Sequence, residues 1–144
     1  MSNERFKMVG AVHLFLKKDN QILLLRRFNT GYEDGNYSVI AGHLDGNEEV
    51  KKAAAREAKE EAGIILDLDD IEVVGLMHRK TTDERMDFFL VAEKWQGEII
   101  NMEPNKCDLL TWFELEDLPP NIIPYVEKAI KNYTNAIWFD SYGW

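Results

Sequence analysis

The chain has 144 residues, a length that favours one domain spanning residues 1–144. Hydrophobic residues make up 45% of it and charged residues 30%, a composition that permits a buried core and excludes a chain disordered throughout. The net charge of −9 argues against binding of a nucleic-acid polymer, which needs a basic surface, but it permits a small anionic substrate accompanied by metal cations.

Hydrophobic periodicity and turn residues predict alternating strands and helices. In chain order they are strands 6–17, 21–27 and 37–41, helix 47–62, strands 71–79, 85–93 and 108–114, and helix 121–132. The turn residues Asp19 and Asn20 predict that the first two strands form a hairpin. For the first helix, Asn47 is a suitable N-cap and Gly63 a suitable residue after the last turn. Pro124 falls in the first turn of the second helix, where proline is tolerated.

Strands outnumber helices, and one helix interrupts them near the middle of the chain. This order predicts an α+β fold, an α/β/α sandwich in which a mixed sheet lies between helices. The C-terminal tail, residues 133–144, is rich in aromatic side chains: Tyr133, Trp138, Phe139, Tyr142 and Trp144. We expect such a tail to pack back on the domain or across a homodimer interface, where Trp and Tyr are enriched.

Three carboxylates are crowded on one side of the first predicted helix. At about 100° per residue, Glu57, Glu60 and Glu61 share an arc of roughly 100°. A stripe of small residues runs beside this arc: Ala54, Ala58 and Ala62. Because alanines permit close approach to a sheet, the acids should lie at the edge of that contact. Partly buried like charges repel each other, which predicts a Mg²⁺ site; a solvated Glu/Lys helix face is the alternative.

The segment around this helix resembles the Nudix box, G-x5-E-x7-R-E-U-x-E-E-x-G-U, in which U is apolar. All fixed residues of the pattern are present: Gly42, Glu48, Arg56, Glu57, Glu60, Glu61 and Gly63. Ala58 and Ile64 occupy the apolar positions, and the order of elements over residues 6–132 is also similar to that of a Nudix domain. The chain departs from the common family pattern at Ala41, where a proline is usual, and at His43, where a second glycine is usual.

The resemblance implies a Nudix fold, with residues 42–64 as the catalytic loop-helix-loop, and hydrolysis of a nucleoside diphosphate linked to another group. It implies Mg²⁺, for which Mn²⁺ can substitute, held by the side chains of Glu57, Glu60 and Glu61 and by the Gly42 carbonyl. It also implies that Arg56 and Glu48 pair and brace the site. Glu103, in a later loop, is a further candidate for metal binding and catalysis; the alternative is an ordinary loop acid. Which glutamate acts as the base for the attacking water stays open.

A second resemblance concerns the substrate. Residues 103–120 are similar to a segment of small MutT-type diphosphatases that act on oxidised nucleotides. The shared residues are Glu103, Pro104, Lys106, Cys107, Trp112, Leu118 and Pro119. The resemblance implies hydrolysis of a nucleoside triphosphate, including oxidised or non-standard deoxynucleotides, to a nucleoside monophosphate and pyrophosphate.

Other substrates remain as alternatives. The absence of proline between Gly63 and Pro104 disfavours an ADP-ribose pyrophosphatase, and the absence of tyrosine between Tyr37 and Tyr125 disfavours a dinucleoside polyphosphate hydrolase. The runner-up activity is hydrolysis of another nucleoside-diphosphate compound, such as a nucleotide sugar. A nucleotide-sensing Nudix module without catalysis is an alternative of a different class.

Three side chains outside the fixed positions are candidates for substrate binding. Arg27 ends a strand beside a glycine-containing loop and could contact a phosphate; the alternative is a solvated arginine. His43 adjoins the first glycine of the box, where it contacts substrate or is simply a loop residue, and His78 could face the cleft from a strand. We expect His13 to fill space in a strand. One aromatic side chain near the box could stack on a base: Phe28, Tyr32 or Tyr37.

The sequence also suggests a cellular setting. A single cysteine, Cys107, excludes an internal disulfide and fits a reducing compartment. The N-terminal segment has no apolar signal region, and no apolar run is long enough for a membrane span. We therefore expect a cytoplasmic protein that binds a small nucleotide and no membrane, with a homodimer as one possible assembly.

Overall fold

The computed structural model describes residues 4–144. The strands in this range form one mixed β-sheet. Its strands are β1 (Val9–Lys18), β2 (Gln21–Arg27), β3 (Tyr37–Ser38), β4 (Ile40–His43), β5 (Ile71–Lys80), β6 (Glu84–Ala92), β7 (Cys107–Glu114) and β8 (Phe139–Tyr142). The helices are α1 (Val50–Ala62) and α2 (Pro124–Thr134), and a 3-10 turn at Leu68–Asp70 precedes β5. Residues 1–3, which the single-domain prediction includes, lie outside the described residues.

The sheet divides between its first two strands. β1 and β2 are paired at the hairpin end, where Lys17 lies opposite Ile22. Further along, β1 pairs with β4 and with the parallel strand β6, whereas β2 pairs with β3 and β7. The strand predicted at residues 37–41 is therefore two short strands, because the chain crosses from β2 to β1 at Val39. This division opens the cleft in which the candidate site lies.

Helices α1 and α2 cover opposite faces of the sheet, because side chains alternate along each strand. On β1, Leu14 and Leu16 are buried in the cluster that contains the alanines of α1. Phe15, between them, is buried with Val126 and Ile130 of α2. The buried side chains of α1 are Ala53, Ala54, Ala58 and Ala62. The structure thus confirms the predicted α+β sandwich and the alanine stripe that brings α1 close to the sheet.

The start of α1 differs from the sequence prediction. Asn47 is not its N-cap; it lies in the preceding loop with φ +54°, directly after Gly46 with φ +84°. The cap is Glu49, whose side chain accepts a hydrogen bond from the Lys52 amide at 2.9 Å. The left-handed pair at Gly46 and Asn47 turns the chain before the helix can begin. The end is as predicted, since Gly63 caps the helix with φ +69°.

The aromatic tail packs back on the domain, which is one of the two arrangements that the sequence predicted. Its strand β8 pairs in parallel with β5, with Leu76 opposite Phe139. Trp144 continues the contact by donating from Nε1 to the His78 carbonyl at 3.0 Å. The homodimer stays a prediction. Within residues 4–144, the structure has no helix of the length and apolar character that a membrane span requires.

Candidate active site

The predicted acids meet in a cavity of about 320 Å³, here called the acid cavity. Helix α1 contributes Glu57, Glu60 and Glu61, and the loop before β7 contributes Glu103. The remaining lining residues are Leu25, Arg27, Thr30, Ala41, Lys106, Cys107 and Leu110. Burial of the alanine stripe against the sheet orients the acidic side of α1 toward the cleft, which is why the four carboxylates share one space.

The Oε2 atom of Glu61 is buried in this cavity and has no hydrogen-bond partner. Burial raises the pKa of Glu61 well above its usual value, and the nearby carboxylates of Glu57 and Glu103 raise it further. A carboxylate in this position is stabilised by a proton or by a bound cation. The unpartnered oxygen therefore fits a metal ligand better than a structural ion pair.

Arg56 connects the loop before α1 to the acids of the helix. Its Nε and Nη2 atoms donate to the two carboxylate oxygens of Glu48 at 2.8 and 3.0 Å. Its Nη1 atom donates to Glu57 at 2.7 Å and lies 3.5 Å from Glu60. A guanidinium held in a fork by one carboxylate keeps a fixed orientation, so Glu48 and Arg56 together fix the position of Glu57.

Gly42 lies directly beneath the Glu57 carboxylate. A Cβ atom added at Gly42 would collide with that carboxylate, whereas the glycine leaves room for it. The close approach gives a physical reason for glycine at this position of the box. It also places the backbone of residue 42 beside a predicted metal ligand, which is where a ligating carbonyl is expected.

The donor chemistry of the acid cavity fits a hard divalent cation, because Mg²⁺ prefers carboxylate and carbonyl oxygens. Within residues 4–144, no three His, Cys, Asp or Glu side chains come close enough to form a complete metal site. Glu57 and Glu60 instead lie beside Arg56. The unpartnered Glu61 oxygen is the observation that favours a cation among these residues.

A second cavity of about 520 Å³, here called the arginine cavity, adjoins the first and shares Arg27 and Ala41 with it. It is lined by Ala11, His13, Arg27, Tyr32, Ala41, Gly42, His43, Arg79, Thr81, Thr82, Arg85 and Tyr125. Its size is in the range typical of small-molecule sites. Arg27 donates to the Tyr32 carbonyl at 2.6 Å and to Thr30 at 3.0 Å, and these contacts hold it between the two cavities.

The three aromatic candidates for base stacking differ in whether they line the arginine cavity. Tyr32 is half-exposed and lines the arginine cavity. Tyr37 is buried in the core with its ring 5.0 Å from that of Phe113, so it is not available to a ligand. Phe28 is exposed and lines neither cavity. Tyr32 is therefore the candidate of the three that the structure places at the site.

The histidines have different surroundings. His43 lines the arginine cavity, with Nε2 3.3 Å from Nη1 of Arg85. His13 is buried, as expected of a residue that fills a strand, and its Nε2 lies 3.0 Å from the Tyr125 hydroxyl. Burial lowers the pKa of His13 to about 4, so it is neutral at physiological pH.

The expectation that His78 faces the cleft needs correction. Its Nε2 lies 3.2 Å from Glu84, its ring contacts Trp144, and it lines neither cavity. The physical reason is strand alternation: the next residue on β5, Arg79, points into the arginine cavity instead.

Sequence reasoning missed Arg79, Arg85 and Tyr125, which line the arginine cavity. No motif marks them, and they lie 37 positions or more after Gly42 in the chain. Strand pairing brings two of them together, since Arg79 lies opposite Arg85. The sequence does show charged residues at the end of β5 and the start of β6. Because the strand order is not known from the sequence, these charges could not be assigned to a site.

Comparison with known proteins shows the family. The family model described as the NUDIX domain matches residues 6–133. A NAD-capped RNA hydrolase NudC from Vibrio parahaemolyticus is 32% identical over 114 residues, which are 79% of this chain and 42% of that protein. An ADP-ribose pyrophosphatase from Methanocaldococcus jannaschii is 29% identical over 126 residues, which are 85% of this chain and 71% of that protein. The chain spans about 40% of the length of the NudC relatives that it matches.

Solved structures show the same fold. A MutT NUDIX hydrolase from Burkholderia pseudomallei has a TM-score of 0.80 and 25% identity, covering 88% of this chain and 98% of that one. A MutT protein from Methanosarcina mazei has a TM-score of 0.74 at 16% identity, covering 89% and 94%, and this likeness shows the fold alone. The matched family region includes every residue of the acid cavity. The chain therefore belongs to the NUDIX domain family.

Proposed function

We propose that this chain catalyses the Mg²⁺-dependent hydrolysis of a nucleoside triphosphate to a nucleoside monophosphate and pyrophosphate. The observation that carries the proposal is the contact between two cavities of opposite charge, which share Arg27 and Ala41. A phosphoanhydride across this shared wall has carboxylates on one side and guanidinium groups on the other. Phosphoanhydride hydrolysis needs neutralised phosphate oxygens and an oriented water, and this arrangement supports both requirements.

The residues have separate roles in this proposal. Mg²⁺, or Mn²⁺ in its place, supplies charge neutralisation and an activated water when bound. Four of its ligands come from the acid cavity, Glu57, Glu60, Glu61 and Glu103, and a fifth is the carbonyl of Gly42, which lies beside Glu57. Arg56 and Glu48 hold Glu57 in position, and Arg27 donates to a phosphate oxygen at the shared wall. One of the cavity glutamates accepts the proton of the attacking water.

A second candidate is the hydrolysis of another nucleoside-diphosphate compound. The relative from Methanocaldococcus jannaschii is named an ADP-ribose pyrophosphatase, and this chain covers 71% of its length. The NudC relatives are named NAD-capped RNA hydrolases, and NAD is a dinucleotide joined by a pyrophosphate. These names favour a substrate with a larger leaving group than pyrophosphate. The absence of proline between Gly63 and Pro104 counts against the ADP-ribose pyrophosphatases among these activities.

A panel of nucleotides in Mg²⁺ separates the two candidates. The panel holds nucleoside triphosphates, ADP-ribose, NAD and nucleotide sugars, and pyrophosphate and phosphate release are measured separately. We expect at least one triphosphate to yield pyrophosphate and a nucleoside monophosphate, and to have the highest kcat/KM in the panel. Turnover of the diphosphate-linked compounds alone would contradict triphosphate hydrolysis and support the second candidate.

The same panel addresses a nucleotide-sensing module without catalysis. The site has a carboxylate at every acidic position of the box, which a module that only binds does not need. Calorimetric binding of a nucleotide without turnover of any panel member would establish the sensing function and contradict both enzymatic candidates.

A further inference from the structure

The arginine cavity extends well beyond Arg27 and Ala41, the two residues that it shares with the acid cavity. Its far end is built by β5, β6 and the first turn of α2, which contribute Arg79, Arg85 and Tyr125. Ala11 and Ala41 also line it, and their small side chains leave space that larger strand residues would fill. The volume of about 520 Å³ is enough for a substrate group beyond the phosphoanhydride that is cleaved.

Arg79 is held rigidly at this end. Its Nε donates to the fully buried Asp87 at 2.6 Å, and its guanidinium carbon lies 3.7 Å from the centroid of the Tyr125 ring. Within residues 4–144, these atoms form no other side-chain hydrogen bond, so the two Nη groups remain as donors. Because a buried arginine is costly unless paired, Asp87 both offsets its charge and fixes its plane.

The groups around Arg79 are donors as well. Thr81, Thr82 and Arg85 line the same cavity, and among the described residues no carboxylate does. Arg85 is kept near the cavity by Asp83, which accepts from its Nε at 3.0 Å. In a chain with a net charge of −9, a cavity lined by arginines and no carboxylates selects for an anion.

We propose that Arg79 and Arg85 bind a further anionic group of the substrate, remote from the phosphoanhydride that is cleaved. This inference rests on the proposed function and narrows its substrate class to nucleotides with a third phosphate. That phosphate is either the terminal one of a triphosphate or one on the group linked to a nucleoside diphosphate. A nucleotide sugar whose sugar is uncharged lacks it. Asp87 acts through Arg79 and is a positioning residue.

Steady-state kinetics with matched substrates tests the proposal. The set is a nucleoside triphosphate, the same nucleoside diphosphate linked to a phosphorylated sugar, and the same diphosphate linked to an uncharged sugar. We expect Arg85→Gln to raise KM about tenfold or more for whichever phosphorylated substrate uses the site, with kcat nearly unchanged. For the uncharged sugar the KM should change by less than about twofold. Equal changes for all three substrates, or none, would overturn the proposal.

Matched variants separate the site from general effects of charge or folding. Arg26→Gln is the control, because Arg26 is on β2, pairs with Asp108 at 2.7 Å and lines neither cavity. Arg79→Lys keeps the charge but loses the fork geometry, and we expect the same KM selectivity as in Arg85→Gln. Arg85 is partly exposed and its replacement should not prevent folding, so Arg85→Gln decides the outcome if Arg79→Lys does not fold.

A binding measurement in EDTA distinguishes failure of this inference from failure of the proposed function. Inorganic pyrophosphate is titrated into the metal-free protein by calorimetry, which requires no turnover. We expect binding to the wild type and to Arg26→Gln, and at least about tenfold weaker binding to Arg85→Gln. Binding that is unaffected by Arg85→Gln, or absent from the wild type, would contradict the anion site whatever the enzyme hydrolyses.

Discussion

The side chain of Glu61 is buried near the carboxylates of Glu57 and Glu103, and one of its oxygens has no hydrogen-bond partner. Because its pKa is raised in the folded protein, its contribution to folding is favourable at low pH and is lost as the pH rises through the raised value. A cation that replaces the proton removes this penalty. The sequence predicted that the three acids share one side of a helix, but the depth of Glu61 depends on the sheet beneath it.

Gly42→Ala tests whether the close approach of this glycine to Glu57 matters. The added methyl group collides with the carboxylate and displaces it, so we expect kcat/KM to fall about 100-fold, as for other small misplacements of catalytic groups. Gly75→Ala is the control, because an added Cβ there would lie at an ordinary contact distance of 3.5 Å from the Trp138 carbonyl oxygen. Wild-type activity of Gly42→Ala in a Mg²⁺ assay would contradict this role of the glycine.

At the scale of elements, α1 and the split between β1 and β2 make the site. The alanine stripe fixes how deeply α1 packs, and the crossing at Val39 opens the cleft beside it. Cap residues then set where the helix begins. Glu49, and not the predicted Asn47, is the N-cap.

Glu49→Ala tests this cap. The variant loses the hydrogen bond to the Lys52 amide, and we expect the free energy of unfolding to fall by about 1 kcal/mol in urea denaturation. Lys52→Ala is the matched control, since it keeps the amide and alters an exposed side chain; it should change stability by less than about 0.5 kcal/mol. An unchanged unfolding midpoint for Glu49→Ala would show that the cap contributes nothing measurable.

The difference between local patterns and strand pairing explains which features the sequence could predict. Long apolar or alternating segments identified most strands and both helices, and the box motif identified the three acids of α1 that line the acid cavity. The strand at residues 37–41 was read as one because alternation does not reveal a switch of pairing partner. The prediction that His78 faces the cleft is wrong, because the side of β5 that faces the cleft follows from pairing with β6, which is not a local property.

At the scale of the whole molecule, the charge is divided unevenly. The chain carries a net charge of −9, yet the arginine cavity is lined by Arg27, Arg79 and Arg85 and by no acid among the described residues. Composition alone gave only the average and could not locate this basic region. In the proposed function, the acid and arginine cavities together form one elongated site, in which a bound cation and a phosphorylated substrate would balance each other's charge.

The stability of the fold should depend on His13 in acid. Burial lowers the pKa of His13 to about 4, so the unfolded chain binds a proton that the folded protein excludes between about pH 6.5 and pH 4. Stability from His13 is present above pH 6.5 and is lost as the pH falls, by about 3 kcal/mol in total. We expect urea denaturation of His13→Gln to show a smaller loss of stability between pH 7 and pH 4.5 than the wild type shows. An identical pH dependence would contradict the buried neutral state.

Glu61→Gln most directly tests the claim that the buried carboxylates hold the cation that the reaction needs. Initial rates of pyrophosphate release are measured against Mg²⁺ concentration with the best triphosphate substrate, and urea denaturation in EDTA checks the fold. We predict that kcat falls at least about 100-fold at every Mg²⁺ concentration, while the metal-free variant is as stable as the wild type or more stable at neutral pH. A Glu61→Gln variant with wild-type turnover and wild-type dependence on Mg²⁺ would contradict the account.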